Sequence, residues 1–202
     1  MNQAKNHGKK AEKKNNAATG QIRIIAGKHR GRKLPVLMAE GLRPTTDRVK
    51  ETVFNWLMPY INQADCLDCF AGSGGLGFEA LSRGAKQVTL VELNKNAAKQ
   101  LQANKQLLKA DNLTVITSDA LLFLKQETTQ CFDLIFLDPP FRQDLVSQSA
   151  TLLNQGWLND KALIYVEMEA ESKQLLPNNW QLLKEKVAGQ VAYRLYQFTQ
   201  LG

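Results

Sequence analysis

The chain has 202 residues, 44% hydrophobic and 22% charged, the make-up of one globular domain with room for a small appendage. No apolar run approaches the ~20 residues that span a bilayer, the N-terminus has no hydrophobic signal core, and three cysteines do not make a disulfide framework, so a reducing cytoplasm is the expected compartment. The net charge of +7 is lopsided: residues 1–33 hold ten Lys/Arg and one acid, whereas the other 169 residues hold sixteen basic and eighteen acidic ones. A basic arm on a near-neutral body points to a polyanion, foremost nucleic acid.

Residues 1–20 read as a disordered basic tail, Lys/Asn-rich and poor in apolar residues. Ile22–Leu37 has two short apolar runs flanking a basic turn with Gly27 and Gly31, the pattern of a β-hairpin. Its tip carries Lys28, His29, Arg30, Arg32 and Lys33, a compact finger suited to phosphate. Leu42–Asp47 is a loop ending in capping residues. A helix follows to Leu57, with Val49, Val53, Phe54 and Leu57 at helical spacing, and Pro59 stops it.

From residue 64 strands and helices alternate. Strands are expected at Cys66–Phe70, Gln87–Glu92, Leu113–Thr117, Phe132–Leu137 and Ala162–Met168. Helices are expected near 75–83, 95–109, 119–126 and 143–154. Such alternation implies a parallel sheet covered on both faces. Trp180–Val187 and Val191–Phe198, separated by Ala188-Gly189-Gln190, read as a closing antiparallel hairpin.

The run from Asp68 to Gly77 follows the first of these strands and opens a helix. Its glycines let backbone approach a ligand closely. Gly72-x-Gly74-x-x-Gly77 also satisfies the dinucleotide pattern, and Glu92 stands where an acid holds ribose hydroxyls in either case. Asp68 would repel a pyrophosphate but suits a ligand with an amino group and a sulfonium. Asp119, after the third strand, suits an adenine amine. The plain alternative is that Asp68 and Asp119 cap helices.

Asp138-Pro139-Pro140-Phe141 follows an apolar strand. Proline fixes φ, donates no hydrogen bond and pushes its predecessor to extended geometry. One carboxylate and one ring are thus held stiffly at the strand's carboxyl end, where open α/β sheets bind ligands. The tetrapeptide resembles the signature of amino-methyltransferases that use S-adenosylmethionine and act on nucleic acid bases.

Over residues 22–200 the chain resembles the bacterial 16S ribosomal RNA guanine-N2 methyltransferases of the small-subunit methyltransferase D type. Gly27–Leu34 and Arg43–Glu51 carry the more specific part of the likeness, and Asp68–Gly74 and Asp138–Phe141 the general part. The resemblance implies a class I methyltransferase fold, a mostly parallel seven-stranded sheet with a C-terminal antiparallel hairpin, plus a small N-terminal basic hairpin. It divides the chain into a tail (1–20), a basic hairpin (21–40) and an S-adenosylmethionine-dependent domain (41–202).

It also implies transfer of methyl from S-adenosylmethionine to one guanine of 16S RNA, on an assembled or partly assembled small subunit, by a monomer without metal. Asp138, Pro139, Pro140 and Phe141 are the expected catalytic residues. Asp68, Phe70, Ala71, Gly72, Ser73 and Gly74 are expected at the methionine end, Glu92 at the ribose, and Leu93, Asp119 and Ala120 at the adenine. Thr45 and Thr46 belong to a segment that packs over the cofactor in such enzymes. Arg43 and Arg48, with the finger, are expected on RNA.

Rival readings are a DNA adenine or cytosine amino-methyltransferase, a silent RNA-binding assembly factor, and a nicotinamide oxidoreductase. Cys66-x-x-Cys69 has no second pair for zinc, so both are expected in the core. His7 and His29 both lie in the basic arm, which leaves no histidine in the body for nucleophilic machinery. Trp56, Trp157 and Trp180 are expected to pack.

Overall fold

A computed structural model describes residues 19–37, 47–128, 130–141 and 143–200. Thr45, Thr46 and Arg43 lie outside the described residues, as does nearly all of the basic tail. Strands β1 (Thr19–Arg23) and β2 (Lys33–Leu37) pair antiparallel, Thr19 opposite Leu37 and Arg23 opposite Lys33. Thr19 and Gly20 therefore belong to a ladder rather than to the tail, and Lys33 begins a strand rather than sitting on the tip.

The remaining elements are α1 (Asp47–Leu57), β3 (Asp65–Asp68), α2 (Gly75–Ser82), β4 (Gln87–Glu92), α3 (Lys95–Leu108), β5 (Leu113–Thr117), α4 (Ala120–Leu124), β6 (Phe132–Leu137), α5 (Leu145–Leu153), β7 (Leu158–Glu169), β8 (Trp180–Ala188) and β9 (Val191–Phe198). The main sheet runs β5-β4-β3-β6-β7-β9-β8, parallel from β5 to β7 and antiparallel at β9 and β8. The expected alternation forms, with shifted ends. β3 stops at Asp68 because the chain turns there, the Cys69 amide bonding to Phe136 O at 3.1 Å. β7 starts earlier than its apolar run because Leu158 pairs with Phe132 ahead of a bulge.

The sheet buries side chains on both faces, as a parallel sheet must. One face packs Leu134, Phe136, Leu163 and Tyr165 against Phe54, Leu57, Phe78 and the hairpin residues Ile22, Ile24, Leu34 and Val36. The other packs Ile135, Leu137 and Ile164 against α4 and α5. Trp157 and Trp180 are buried, their ring N–H groups donating to Leu124 O and Asn154 Oδ1. Cys66 and Cys69 are buried free thiols whose ionisation burial pushes far up.

The hairpin is welded to the domain by polar groups. The Glu79 carboxylate of α2 accepts the amides of Ile25 (2.8 Å) and Ala26 (3.0 Å). Ser82 Oγ accepts the His29 amide at 2.9 Å and Ser82 O accepts that of Lys28 at 2.7 Å. A Cβ on Gly27 would stand 1.8 Å from Ser82 O, and its φ of +80° is left-handed, so only glycine permits this approach. Lys50, only 2% exposed on the apolar side of α1, donates to Arg23 O at 2.7 Å and lies 3.3 Å from Asp47 Oδ1. This buried cation is invisible to hydrophobic spacing.

Candidate functional site at the carboxyl edge of the sheet

β3 has β4 on one side and β6 on the other, and the chain leaves it in opposite directions. Such a reversal opens a crevice at the carboxyl ends of the strands. Asp68, Glu92 and Asp138 end or follow β3, β4 and β6 there.

The glycine loop is propped from two sides. Ala71 N–H bonds to Val91 O at 2.9 Å, and Gly72 N–H donates to Glu92 Oε2 at 2.8 Å. Glu92 Oε1 accepts the Asn94 amide at 2.7 Å, fixing the turn into α3, which Asn94 then caps. Gly74 is the N-cap of α2 at φ +79°, with no room for a Cβ beside Phe78 and Leu101. Gly72 and Ser73 remain half-exposed on the lip, Phe70 is half-buried and Ala71 buried. Leu93 is 68% exposed beyond Glu92.

Asp68 lies beneath this loop, 2% exposed, taking backbone N–H bonds from Phe70 and Gly77. The helix-capping alternative holds for it in part. Its Oδ1, however, has no hydrogen-bond partner among the described residues. Burial, then the charge of Asp138, pushes its carboxyl up to about 7, and Glu92 adds to this. Asp119 is a true cap: its Oδ1 accepts Leu122 N–H at 2.9 Å, and buried Ala120 opens α4 behind it.

Asp138 is half-buried, Pro139 buried and Pro140 exposed, while the Phe141 ring is 41% exposed. Glu167 is an acid that sequence reading passed over. Leu137 pairs with Val166, so Asp138 and Glu167 come level one step further on. Glu167 is 7% exposed, accepts the Tyr165 hydroxyl at 2.7 Å, and pairs across β9 with Tyr193. A charged residue inside the apolar run Ala162–Met168 was the available signal.

The donor set suits a cationic ligand without phosphate. Asp138 and Glu92 both raise the cost of ionising buried Asp68 at this edge, and its Oδ1 lacks a donor among the described residues. An amino group and a sulfonium relieve that; a pyrophosphate worsens it.

The basic finger lies elsewhere. α2 runs from the glycine loop to Ser82, and Arg32 Nη2 donates to Leu107 O at the end of α3. The tip thus sits by the amino edge, the length of an eight-residue helix, ~12 Å, from the loop. Lys28, Arg30 and Arg32 are exposed there, Lys33 is exposed at the start of β2, and His29 is half-buried, burial and then Lys28 and Arg32 favouring its neutral imidazole. Arg48 is exposed on the first turn of α1.

A family model described as "Conserved hypothetical protein 95" matches residues 22–197. The ribosomal RNA small subunit methyltransferase D of Haemophilus influenzae is 60% identical over 184 residues, covering 89% of this chain and 95% of that protein. Its Escherichia coli namesake is 56% identical over 188 residues, covering 92% and 94%. A solved Escherichia coli structure at 56% identity has a TM-score of 0.84 and covers 90% of this chain and 100% of the other. The fold is that of class I methyltransferases.

Proposed function

The chain belongs to the ribosomal RNA small subunit methyltransferase D family, and we propose from that premise that it transfers a methyl group from S-adenosylmethionine to the exocyclic N2 of one guanine in 16S ribosomal RNA. The observation that carries this reading is the stiff Asp138-Pro139-Pro140-Phe141 turn level with the glycine loop at one sheet edge.

S-adenosylmethionine supplies an electrophilic methyl on sulfur. Gly72, Ser73 and Gly74 cradle its methionine end, Asp68 balances the amino group from below, Glu92 takes ribose hydroxyls with its remaining lone pairs, and Leu93 with Asp119 borders adenine. Asp138 and the Pro139 carbonyl accept hydrogen bonds from the guanine amine and turn its lone pair toward the methyl. Phe141, already exposed, stacks on the unstacked base. Methyl transfer would form the N–C bond as the methyl–sulfur bond breaks, leaving S-adenosylhomocysteine, and the methylated amine would then pass a proton to solvent. Catalysis is chiefly positioning. Thr45 and Thr46 cover the cofactor. Arg30 and its neighbours, remote from the edge, hold RNA phosphates, with Arg43 and Arg48 on flanking ones.

The test is methyl transfer from labelled S-adenosylmethionine to small subunits of cells lacking this protein. N2-methylguanine in 16S RNA is the expected product. Label in DNA instead, or no label with cofactor binding intact, overturns the reading.

A further inference from the structure

Glu167 is in the wrong place for a structural carboxylate. It sits on β7, between the apolar residues Val166 and Met168, at the edge where the base must enter. Alternation along the strands puts Asp138 and Glu167 on the same face as Phe136 and Tyr165, which pair with each other. The two acids are therefore side by side. Burial, then the charge of Asp138, pushes Glu167 up to about 8. An ion pair would explain such a residue, but among the described residues no Lys, Arg or His pairs with it; its hydrogen-bond donor is the Tyr165 hydroxyl at 2.7 Å.

That hydroxyl is itself fixed. Tyr165 is fully buried, its ring 6.3 Å from that of Phe136, which in turn lies 5.9 Å from Phe54 of α1. The carboxyl of Glu167 is thus aimed by a packed aromatic stack, and Tyr193 borders it on the β9 side. Two level carboxyls keep a proton on one of them unless N–H groups come between them to stabilise the second charge. Guanine offers them on one edge: the N2 amine and, next to it, N1–H.

We propose that Glu167 reads the guanine ring, its carboxylate accepting N1–H while Asp138 accepts the amine. This rests on the guanine-N2 reading above and deepens it. Glu167 fixes the ring's rotation about the Asp138 contact, so that N2 and no other atom faces the methyl. Tyr165 is a positioning residue for Glu167.

The test compares guanine with 2-aminopurine at the nucleotide that the labelling experiment identifies, in small subunits reconstituted with each RNA. 2-Aminopurine keeps the C2 amine but has a bare acceptor at N1. The native protein is expected to favour guanine in kcat/KM by about 10–100-fold, the worth of one hydrogen bond to a charged group. Glu167→Gln turns an amide N–H toward N1, so it loses guanine activity, gains on 2-aminopurine, and brings the ratio near unity. Tyr165→Phe, which keeps the carboxylate but frees it, lowers the ratio by a smaller factor. S-adenosylhomocysteine affinity, unchanged in both, shows that the variants fold. A guanine to 2-aminopurine ratio in Glu167→Gln equal to that of the native protein overturns the inference. Absence of any guanine methylation by the native protein overturns the parent reading instead.

Discussion

The carboxylate of Glu79 accepts the amide of Ile25 at 2.8 Å across 54 residues of sequence. The same side chain takes the Ala26 amide and the Arg83 guanidinium (2.7 Å), and Arg83 lies over the Phe54 ring at 4.9 Å. One buried acid therefore ties the N-terminal hairpin, α2 and α1 together. The hairpin is held as part of the domain's packing, not as a loose arm.

Glu79→Ala strands two amides and a guanidinium in a buried place. We expect a loss of about 2–5 kcal/mol in urea unfolding, with Glu79→Gln losing less because one acceptor oxygen remains. An unchanged midpoint for the alanine variant would show that water replaces the carboxylate without cost.

Asp138→Ala removes the acceptor that the proposed mechanism assigns to the guanine amine. Turnover should fall by more than about 100-fold, in the range of lost positioning and general-base groups, while S-adenosylhomocysteine binding by calorimetry stays within a few-fold. Residual turnover near the native rate would assign the chemistry to another group.

Arg30 belongs to the finger by the amino edge, at the opposite end of α2 from the glycine loop. Arg30→Glu should weaken subunit binding, flatten the salt dependence of affinity by about one phosphate contact or more, and raise KM with little change in kcat. Arg32 is the less clean choice, since it also bonds Leu107 O. An unaltered salt slope would leave the finger with a folding role only.

Asp68 rises from an ordinary 3.8 to about 7 in the folded protein, burial being the main cause. Between those values the folded state holds a proton that the unfolded state has released. Its contribution to stability is thus full below about pH 4 and is lost as pH rises through about 7. A bound cation favours the ionised form, so S-adenosylmethionine should bind with proton release from about pH 5 to 7, seen as a buffer-dependent calorimetric heat. Asp68→Asn should abolish that dependence; if it persists, another acid is responsible.

Native protein should show one readily modified thiol by Ellman's reagent, at Cys131, and three after unfolding. Cys66 and Cys69 are buried and resist ionisation, whereas Cys131 is half-exposed. Rapid reaction of all three would mean that β3 opens easily.

The chain's local chemistry determined its element order and the edge where the chemistry gathers. Alternating apolar runs such as Phe132–Leu137, glycines at 72 and 74 and the two prolines at 139 and 140 act through near neighbours, so spacing alone announces them. Asp119 as a helix cap was legible for the same reason. Tertiary structure alone decided the rest. Whether Asp68 faces a ligand or the base of α2 depends on how the loop is propped by Glu92, and Glu167 meets Asp138 only through the register of β6 against β7. Buried Lys50, and the finger's distance from the reaction edge, likewise depend on how the hairpin lies along α2 and α3. Local pattern carries no information about which distant backbone groups a side chain will satisfy; packing the sheet's two faces sets that.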